Sequence, residues 1–345
     1  MSNPSIVLVT LEYPPDIGGI ATYLRSLVEA SAGGIEAVDA KKFFRSSWPR
    51  WWPMVKSITS IRSIVLVSHI LPVGTAAWIS RMIGGPEYAI IVHGTDVRRA
   101  NTPWKRWLVR RICARARALV ANSEATKREL LSLVPQETVH VVTPGVSGDP
   151  HPSRIDARRG LGLDTDEPVV LSVSRLVPRK GLDFSLRAIS RIQTRRPVRY
   201  IVIGDGPDRE RLEKVAAECR ASVTWIRNAT DEEKRRWYAA ADVFLLPARD
   251  EGDDVEGFGI VYLESAMAGV PSVAGRSGGA VEAVRHENTG LAVNPDSIQE
   301  IAESVEKLLK DSELRRGMGE NARRRVLSEF QWKDRWEKLK RILNP

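Results

Sequence analysis

Short apolar runs of Val, Ile and Leu alternate with amphipathic stretches along this chain, and the alternation constrains the fold more than any other feature. Continuous apolar runs are typical of parallel strands that are buried on both faces of a sheet. Parallel pairing requires crossover connections, so the helical stretches between the runs predict an α/β fold with doubly wound sheets. The runs are 6–10, 63–68, 88–92, 168–173, 200–203 and 242–246.

The alternation is interrupted in the polar segment 144–163, which carries Pro, Gly and Arg, and it starts again at Pro168. A chain of 345 residues has room for two domains. We therefore expect two Rossmann-like units, residues 1–150 and 151–328, that face each other across a ligand-binding cleft. The last amphipathic stretch, within 329–345, is expected to pack back on the first unit.

Composition indicates a cytoplasmic protein. No run of about 18 apolar residues exists, and the chain begins almost at once with the strand-like Ile6–Thr10, so we expect neither a membrane span nor a signal peptide. The two cysteines, Cys113 and Cys219, lie far apart in helical stretches. Their number and spacing predict no disulfide framework and no metal site.

The net charge of +9 is concentrated in the first half of the chain. Residues 1–150 contain 18 Lys and Arg against 11 Asp and Glu, whereas the remaining residues contain 34 against 32. Two segments, 41–53 and 104–111, combine cations with Trp. This composition suits an anchor on an anionic membrane surface. The alternatives are a nucleic-acid backbone and an ordinary helix with surface Arg, and we expect no nucleic-acid partner because no nucleic-acid-binding fold is indicated.

Two glutamates, Glu256 and Glu264, lie eight positions apart around the turn Gly257-Phe258-Gly259. The glycines let backbone N–H groups approach a ligand, and a helix that begins at about Phe258 offers free donors and partial positive charge to a diphosphate. Glu264, about two turns into that helix, can accept bonds from a vicinal diol such as a ribose. Glu256 can accept bonds from sugar hydroxyls. The alternative is a capping acid and a solvated helical Glu.

Arg175 and Lys180 follow the apolar run 168–173. They are therefore expected at the carboxyl end of a strand, where open α/β sheets bind ligands. Two cations there can neutralise the charge that develops on a departing diphosphate. A solvated basic loop is the alternative.

Two glycine turns each follow a strand and open a helix. Gly18 and Gly19 follow the first strand, and Gly204 and Gly206 follow the run 200–203. Such turns let backbone amides approach a phosphate, although neither forms the dinucleotide pattern G-x-G-x-x-G and no NAD signature follows. Plain turn geometry explains them as well.

His93 ends the run Tyr88–Val92 and is expected at the same kind of strand end. Its imidazole can hydrogen-bond a reacting sugar or an acceptor, whereas a single His is ordinarily structural.

Together these segments resemble the retaining GT-B glycosyltransferases of family 4, and the resemblance covers nearly the whole chain. The spacing of Glu256 and Glu264 is the most specific match. The supporting motifs are Ser174-Arg-Leu-x-x-x-Lys-Gly181, Gly204-x-Gly-Pro207, Ala241-Asp-Val-x-Leu-x-Pro247 and Ala274-Gly-x-x-Gly-Gly279.

The resemblance implies a role for each candidate residue. Arg175 and Lys180 would contact the donor diphosphate. Glu256 would contact the transferred sugar and Glu264 the ribose, while His93 would line the reaction centre. The other donor contacts are expected from Gly18, Gly19, Gly204, Gly206, Gly257, Phe258, Gly259 and Ile260.

The resemblance also implies a mechanism. Donor cleavage would retain the configuration at the anomeric carbon, by same-face attack in which the leaving phosphate helps to deprotonate the acceptor. No carboxylate pair of the glycosidase kind is required. We expect no metal, because the cations and the helix terminus carry the charge of the diphosphate. We expect no cofactor either, since the nucleotide sugar is a co-substrate.

The acidic loop 250–254 resembles a feature of relatives that use GDP-mannose, including those that mannosylate phosphatidylinositol. The first expectation is therefore transfer of mannose from GDP-mannose to a lipid-linked or polysaccharide acceptor, by a cytoplasmic protein peripheral to the inner face of the cell membrane. UDP-linked glucose, GlcNAc or galactose is the alternative donor. Two residues depart from the family pattern, Val281 where many relatives have Pro and Ser147 where many have Asp.

Other classes of function remain as alternatives. A sugar-nucleotide epimerase or hydrolase shares the GT-B fold and lacks an acceptor. A non-catalytic nucleotide-sugar-binding protein would have a decayed site, and the presence of Arg175, Lys180, Glu256 and Glu264 argues against it.

Overall fold

The computed structural model describes residues 6–16, 18–43, 52–98, 100–135, 137–146, 148, 151–252 and 254–344. Ser147 and residues 44–51 of the aromatic and basic segment 41–53 lie outside the described residues. The chain forms two compact units, Met1–Gly145 with Trp332–Pro345 as unit 1 and Val146–Gln331 as unit 2. No helix in the described ranges is both long enough and apolar enough to cross a bilayer.

Unit 1 contains a six-stranded sheet. Its strands are β1 Ile6–Thr10, β2 Ile35–Asp39, β3 Ile64–Val67, β4 Tyr88–Val92, β5 Leu119–Ala121 and β6 Val139–Val141. Its first helices are α1 Gly19–Ala30, α2 Trp52–Thr59, α3 Thr75–Met82, α4 Gly94–Arg98, α5 Pro103–Arg115 and α6 Glu124–Leu133.

Unit 2 contains a second six-stranded sheet. Its strands are β7 Val169–Val173, β8 Arg199–Ile203, β9 Val223–Ile226, β10 Val243–Leu246, β11 Ser272–Gly275 and β12 Gly290–Val293. Its helices are α7 Arg154–Gly160, α8 Leu182–Ile189, α9 Arg209–Glu218, α10 Asp231–Ala240, α11 Ile260–Met267, α12 Ala280–Ala283, α13 Ile298–Lys310 and α14 Ser312–Glu329. The chain then returns to unit 1 as α15 Trp332–Leu343.

All the strand pairs in both sheets are parallel, and this confirms the predicted doubly wound α/β architecture. The strand orders are β2-β1-β3-β4-β5-β6 and β12-β11-β10-β7-β8-β9. Each sheet grows first in one direction and then in the other, so one switch point lies between β1 and β3 and the other between β7 and β10. Ligands of open α/β sheets bind outside the carboxyl ends of the strands at such points.

Right-handed crossovers decide which helices share a face of the unit 1 sheet. The connection from β1 to β2 runs in the opposite direction to the connections from β3 to β4 and from β4 to β5. Helix α1 therefore lies on one face, where it packs against α15, and α3 and α5 lie against each other on the other face.

Two local features differ from the sequence-based expectation. Helix α11 begins at Ile260 rather than at about Phe258, because Gly259 has a φ of 86° and a left-handed residue cannot be part of the helix. The polar segment 144–163 contains the helix α7. Ser153 is the N-cap residue of this helix, and its side chain accepts a hydrogen bond from the backbone N–H of Asp156.

The chain passes between the two units twice, and the segments at these two points are hydrogen-bonded to each other. The backbone N–H of Val146 donates to the carbonyl of Phe330 at 2.9 Å, and Val146 forms a parallel bridge with Gln331. These contacts hold residue 146 in unit 2, so this unit begins five residues before the expected start at residue 151.

Helix α15 packs on unit 1 through its tryptophans. The ring of Trp332 meets the ring of Tyr23 edge to face, with centroids 5.3 Å apart. Trp336 lies so close to Gly34 that an added Cβ there would be 2.8 Å from the indole. Aromatic pairs and close packing of this kind anchor the C-terminal helix to α1 and to the start of β2.

A buried ion pair joins α7 to the sheet of unit 2. Arg158 and Asp242 are 3% and 4% exposed, and Nη2 of the first is 2.8 Å from Oδ2 of the second. The same carboxylate accepts the backbone N–H of Val169 at 2.9 Å and pairs with Arg154 at 2.7 Å. Both charges are thus satisfied at the point where β7 begins.

Replacement of Asp242 by Ala is expected to lower the free energy of unfolding by about 3–5 kcal/mol, because Arg158 would remain buried without its carboxylate. Chemical denaturation of the two proteins measures this change. The control is Asp164→Ala, which removes an exposed carboxylate paired with Arg196 and should cost less than about 1 kcal/mol. Equal losses in the two variants would contradict the assignment.

Candidate functional site

The switch point of unit 2 is formed by the loops that follow β7 and β10. These loops approach each other closely at Gly181, where an added Cβ would be 2.3 Å from the carbonyl oxygen of Pro247. Gly181 also has a φ of 66°, which only glycine adopts without strain. The approach brings the basic residues before Gly181 to the acidic residues of the second loop.

Glu256 is buried at this switch point between two cations. Its Oε2 atom lies 2.7 Å from Nη1 of Arg179 and accepts a hydrogen bond from Nζ of Lys180. Nε of Arg179 is also 2.9 Å from Oδ1 of Asp254. Two cations and two carboxylates therefore form one cluster whose charges balance.

The cluster holds Glu256 in its ionised form. Burial by itself raises the pKa of Glu256, but the adjacent Lys180 and Arg179 outweigh it and lower the pKa to about 2. Burial has the larger effect on Lys180 and lowers its pKa. Burial also works against the charge of Arg179, but Glu256 and Asp254 overcome it and raise that pKa.

Arg175 and Lys180 have different surroundings, although the sequence predicts the same role for both. Lys180 is buried on Glu256, whereas Arg175 is exposed and, in the ranges that the structure describes, makes neither an ion pair nor a hydrogen bond through its side chain. Arg175 is thus the cation whose charge is not already neutralised.

The turn Gly257-Phe258-Gly259 follows Glu256 directly. Phe258 is buried against Phe330, with ring centroids 5.9 Å apart, so its side chain belongs to the core. No acceptor for the backbone N–H groups of the three turn residues is found among the described residues. With the backbone N–H of Ile260, the first residue of α11, they form a row of N–H groups that have no acceptor among the described residues and suit anionic oxygens.

A second glycine pair, Gly278 and Gly279, packs against the backbone of this turn. The backbone N–H of Gly279 donates to the carbonyl of Glu256 at 2.9 Å. An added Cβ at Gly278 would be 2.2 Å from that carbonyl oxygen, and one at Gly279 would be 2.2 Å from the carbonyl oxygen of Gly257. The Gly-Gly motif after β11 thus lets its loop approach the turn and fix the backbone of Glu256.

Glu264 lies at the start of the second turn of α11 and is half-buried. Its Oε2 atom accepts a hydrogen bond from Oη of Tyr238 at 2.7 Å. Burial, and then the charge of Glu264, raise the pKa of Tyr238, so the phenol keeps its proton and continues to donate. This bond orients one carboxylate oxygen, and the other has no partner among the described residues and is available to a diol.

Gly204 and Gly206 lie against the loop that follows β7. An added Cβ at Gly204 would be 1.9 Å from the carbonyl oxygen of Ser174, and one at Gly206 would be 2.3 Å from that of Leu176. These contacts show a structural reason for both glycines, which is the close approach of two loops. A donor contact by either residue stays a prediction.

The switch point of unit 1 gathers polar side chains from several strand ends. The hydroxyl of Ser68 donates to that of Thr10 at 2.6 Å and also bonds Nδ1 of His69 at 2.8 Å. Nε2 of His69 is 3.5 Å from Oε1 of Glu12. The rings of His69 and His93 are 6.0 Å apart.

His93 is buried beside this group and carries no charge at neutral pH. Burial, and then the neighbouring His69, lower the pKa of His93 to about 3. Its Nδ1 atom is 3.4 Å from Nδ2 of Asn122, and its Nε2 atom is buried with no hydrogen-bond partner in the described part of the chain. A buried polar atom without a partner is costly, and such atoms mark places where a ligand can bind.

Gly18 and Gly19 stand at the start of α1. An added Cβ at either glycine would meet nothing within 4 Å in the described structure. The backbone there is therefore open to a ligand, but this geometry does not distinguish a binding loop from a plain turn.

Several residues of these sites were not predicted from the sequence, among them Arg179, Tyr238 and His69. Arg179 lies within the Arg175–Gly181 motif, at a position that the motif leaves variable. Tyr238 belongs to α10 and shows no local signal. His69 lies two residues after the end of β3 and His93 directly after β4, so the rule that strand ends carry ligand contacts would have made it a candidate.

Comparison with known proteins agrees with this geometry. The profile described as Glycosyl transferases group 1 matches residues 153–325, and the profile described as Glycosyltransferase Family 4 matches residues 31–149. A GDP-mannose-dependent α-(1-6)-phosphatidylinositol monomannoside mannosyltransferase of Mycolicibacterium smegmatis is 32% identical over 98% of each chain. A GDP-mannose-dependent monoacylated α-(1-6)-phosphatidylinositol monomannoside mannosyltransferase of Corynebacterium glutamicum is 30% identical over 98% of this chain and 97% of that one.

Solved structures share the fold. Sucrose-phosphate synthase from Thermosynechococcus elongatus superposes with a TM-score of 0.84 at 21% identity, over 98% of this chain and 97% of that one. HepE of Anabaena, in complex with UDP and glucose, superposes with a TM-score of 0.82 at 18% identity, over 98% of this chain and 99% of that one. Because one profile covers half of the chain and the mycobacterial relative matches it nearly end to end, the chain belongs to the family 4 (group 1) glycosyltransferases and has their GT-B fold.

Proposed function

We propose that this glycosyltransferase transfers mannose from GDP-mannose to a lipid-linked or polysaccharide acceptor and forms an α-glycosidic bond. The observation that carries the proposal is the cluster at the unit 2 switch point, where Lys180 and Arg179 keep a buried Glu256 ionised. An ionised carboxylate is a strong acceptor for sugar hydroxyls, and it lies beside the free N–H groups that suit a diphosphate.

The choice of mannose is supported by the relatives. Those at 30–32% identity over nearly the whole chain are named as GDP-mannose-dependent mannosyltransferases that act on phosphatidylinositol monomannosides. The acidic loop 250–254 supports the same choice. UDP-glucose, UDP-GlcNAc and UDP-galactose are the alternative donors of the same reaction.

Each part of the donor has a proposed partner in unit 2. The diphosphate binds Arg175, Lys180 and the backbone N–H groups of residues 257–260. An ammonium has three N–H donors, so Lys180 can bind a phosphate oxygen and keep its bond to Glu256. Glu256 accepts bonds from the mannose hydroxyls, and Glu264, oriented by Tyr238, accepts them from the ribose diol.

The proposed reaction retains the configuration of the donor. The bond between C1 of mannose and the β-phosphate oxygen breaks, and an acceptor hydroxyl oxygen bonds to C1 on the same face. The hydroxyl proton passes to the departing phosphate oxygen, so atoms and charge balance. Arg175 and Lys180 stabilise the negative charge that develops on GDP, and this electrostatic role needs no metal ion.

The acceptor is proposed to bind unit 1. The buried Nε2 atom of His93 is a hydrogen-bonding group without a partner among the described residues, and a neutral imidazole can either donate or accept a bond. A lipid-linked acceptor would place the enzyme at the inner face of the cell membrane as a peripheral protein.

Thermal-shift titration with GDP-mannose, GDP, UDP, UDP-glucose, UDP-GlcNAc and UDP-galactose is expected to show stabilisation by the GDP series. A ligand at 100 times its dissociation constant stabilises the folded state by about 2.7 kcal/mol. Glu264→Ala should weaken binding of GDP about tenfold or more, because a bond from a diol to a charged group is lost. The matched variant Tyr238→Phe, which keeps the carboxylate of Glu264, should lose much less affinity for GDP. A response only to UDP compounds would replace mannose by a UDP-linked sugar.

Glu256→Gln is expected to lower kcat/KM for transfer about 10- to 100-fold, as expected when hydrogen bonds to a charged group are weakened. The control Glu251→Gln removes an acid of the same loop that pairs with Arg249, and it should retain activity. Wild-type activity in Glu256→Gln would contradict the proposed role of Glu256 in binding the sugar.

The same variant tests the charge of Glu256 through stability. A lowered folded-state pKa stabilises the protein above the ordinary value near 4.5, and this contribution is lost as the pH falls towards about 2. Unfolding experiments between pH 5 and 2 should therefore show a steeper loss of stability in the wild type than in Glu256→Gln. Parallel curves would contradict an ionised Glu256.

Proton NMR of the first product formed from GDP-mannose should show the α-anomer, as same-face transfer requires. Activity after treatment with EDTA should equal that of untreated enzyme, because the cations and backbone amides carry the charge of the diphosphate. An initial β-product would exclude retention, and a loss of activity that Mg²⁺ restores would exclude metal independence.

A further inference from the structure

Helix α5 of unit 1 has an apolar inner face and an outer face of Trp and Arg. The inner face is formed by the buried Val109, Ile112 and Cys113. Trp104 and Trp107 are 62% and 55% exposed. At about 100° per residue, these two side chains lie with Arg111 and Arg115 on the side opposite the buried face. The guanidinium carbon of Arg111 lies 5.6 Å from the ring centroid of Trp107, so cations and indoles are interleaved on one surface.

The positive charges of α5 have no carboxylate partner among the residues that the structure describes. The helix contains five cations and no acid in its 13 residues, and none of the five forms an ion pair with any residue that the structure describes. Arginines on either side do form ion pairs, Arg98 with Glu129 at 2.8 Å and Arg117 with Glu87. An isolated stripe of unpaired cations next to exposed indoles is complementary to an anionic surface with an apolar interior.

We infer that the outer face of α5, defined by Trp104, Trp107, Arg111 and Arg115, is a docking surface for an anionic lipid bilayer. The indoles enter the interface between headgroups and acyl chains, where Trp is favoured, and the arginines bind lipid phosphates. The inference rests on the proposed function, since a lipid-linked acceptor lies in such a bilayer.

The position of α5 in unit 1 suits this role. The helix belongs to the connection from β4 to β5, so its N-terminal half, with Trp104 and Trp107, lies towards the carboxyl edge of the sheet. His93 follows β4 at that same edge. A bilayer bound along the outer face of α5 therefore reaches, at the Trp104 end of the helix, the edge of the sheet where an acceptor headgroup is proposed to bind.

Sedimentation of the full-length protein with vesicles tests the surface. The protein should bind vesicles of phosphatidylglycerol and phosphatidylcholine, should bind pure phosphatidylcholine poorly, and should be released as NaCl increases. The variant Arg111→Glu, Arg115→Glu should bind the anionic vesicles about tenfold or more weakly, since each cation near such a surface contributes to attraction. Neither arginine belongs to the proposed donor site, so thermal stabilisation by GDP should be unchanged.

The matched control is Arg323→Glu, Arg324→Glu, which makes the same change in net charge at two exposed arginines of α14 in unit 2. This control should bind anionic vesicles as the wild type does. An equal loss of binding in both variants would show that net charge, not α5, is responsible. Failure of the wild type to bind anionic vesicles, or stronger binding to RNA or DNA than to vesicles, would overturn the inference.

A second variant tests the tryptophans separately from charge. Trp104→Ser, Trp107→Ser should fold normally, because both side chains lie on the outer face, and circular dichroism checks this. Vesicles that contain brominated phosphatidylglycerol should quench wild-type fluorescence more strongly than that of the variant. Equal fractional quenching of the two proteins would place the indoles outside the bilayer and would overturn the inference. Donor binding measured with GDP on the same samples tests the proposed function independently.

Discussion

Parallel pairing of all the described strands is the constraint on which the rest of the structure depends. Strands buried on both faces leave little room for polar chemistry along their length, so it is concentrated in the loops at the strand ends. At a switch point, two such loops come from distant parts of the chain and lie side by side. This is how Lys180 and Glu256, 76 positions apart, become hydrogen-bonded partners. In unit 1 the same rule brings Thr10 to Ser68.

The buried titratable groups at the two switch points differ in charge: Glu256 is ionised, whereas His93 is neutral. Burial disfavours charge at both, but Glu256 has two cations at hydrogen-bond distance, and their attraction exceeds the cost of burial. Asp96 accepts the backbone N–H of His93 at 3.0 Å, but among the described residues no carboxylate offsets the cost of burying a charge on the ring. The second imidazole beside it adds to that cost, so His93 stays neutral. Unit 2 therefore presents a fixed negative charge that accepts hydrogen bonds, whereas unit 1 presents a neutral ring that can donate or accept one.

The apolar runs predicted the doubly wound architecture and six of the twelve described strands, because a strand buried on both faces has a continuous apolar sequence. The same patterns made Glu256, Glu264 and Lys180 candidates for donor contacts, since strand ends and glycine turns are local signals. They did not reveal that Glu256 pairs with Lys180 and Arg179, because this contact depends on the order of strands in the sheet. The bond from Tyr238 to Glu264 was missed for a similar reason: it joins two helices whose relative position depends on tertiary packing.

Under the proposed function, recognition of the sugar and of the diphosphate are coupled through one carboxylate. Before the donor binds, the charges of Arg179 and Lys180 are balanced by Glu256 and Asp254, so Arg175 and the backbone N–H groups supply the first attraction for the diphosphate. Hydrogen bonds from sugar hydroxyls to Glu256 weaken its bond to Lys180 without breaking it. As that bond weakens, the ammonium becomes a better donor to phosphate. A nucleotide without its sugar lacks this effect, so the cluster favours the intact donor over the free nucleotide.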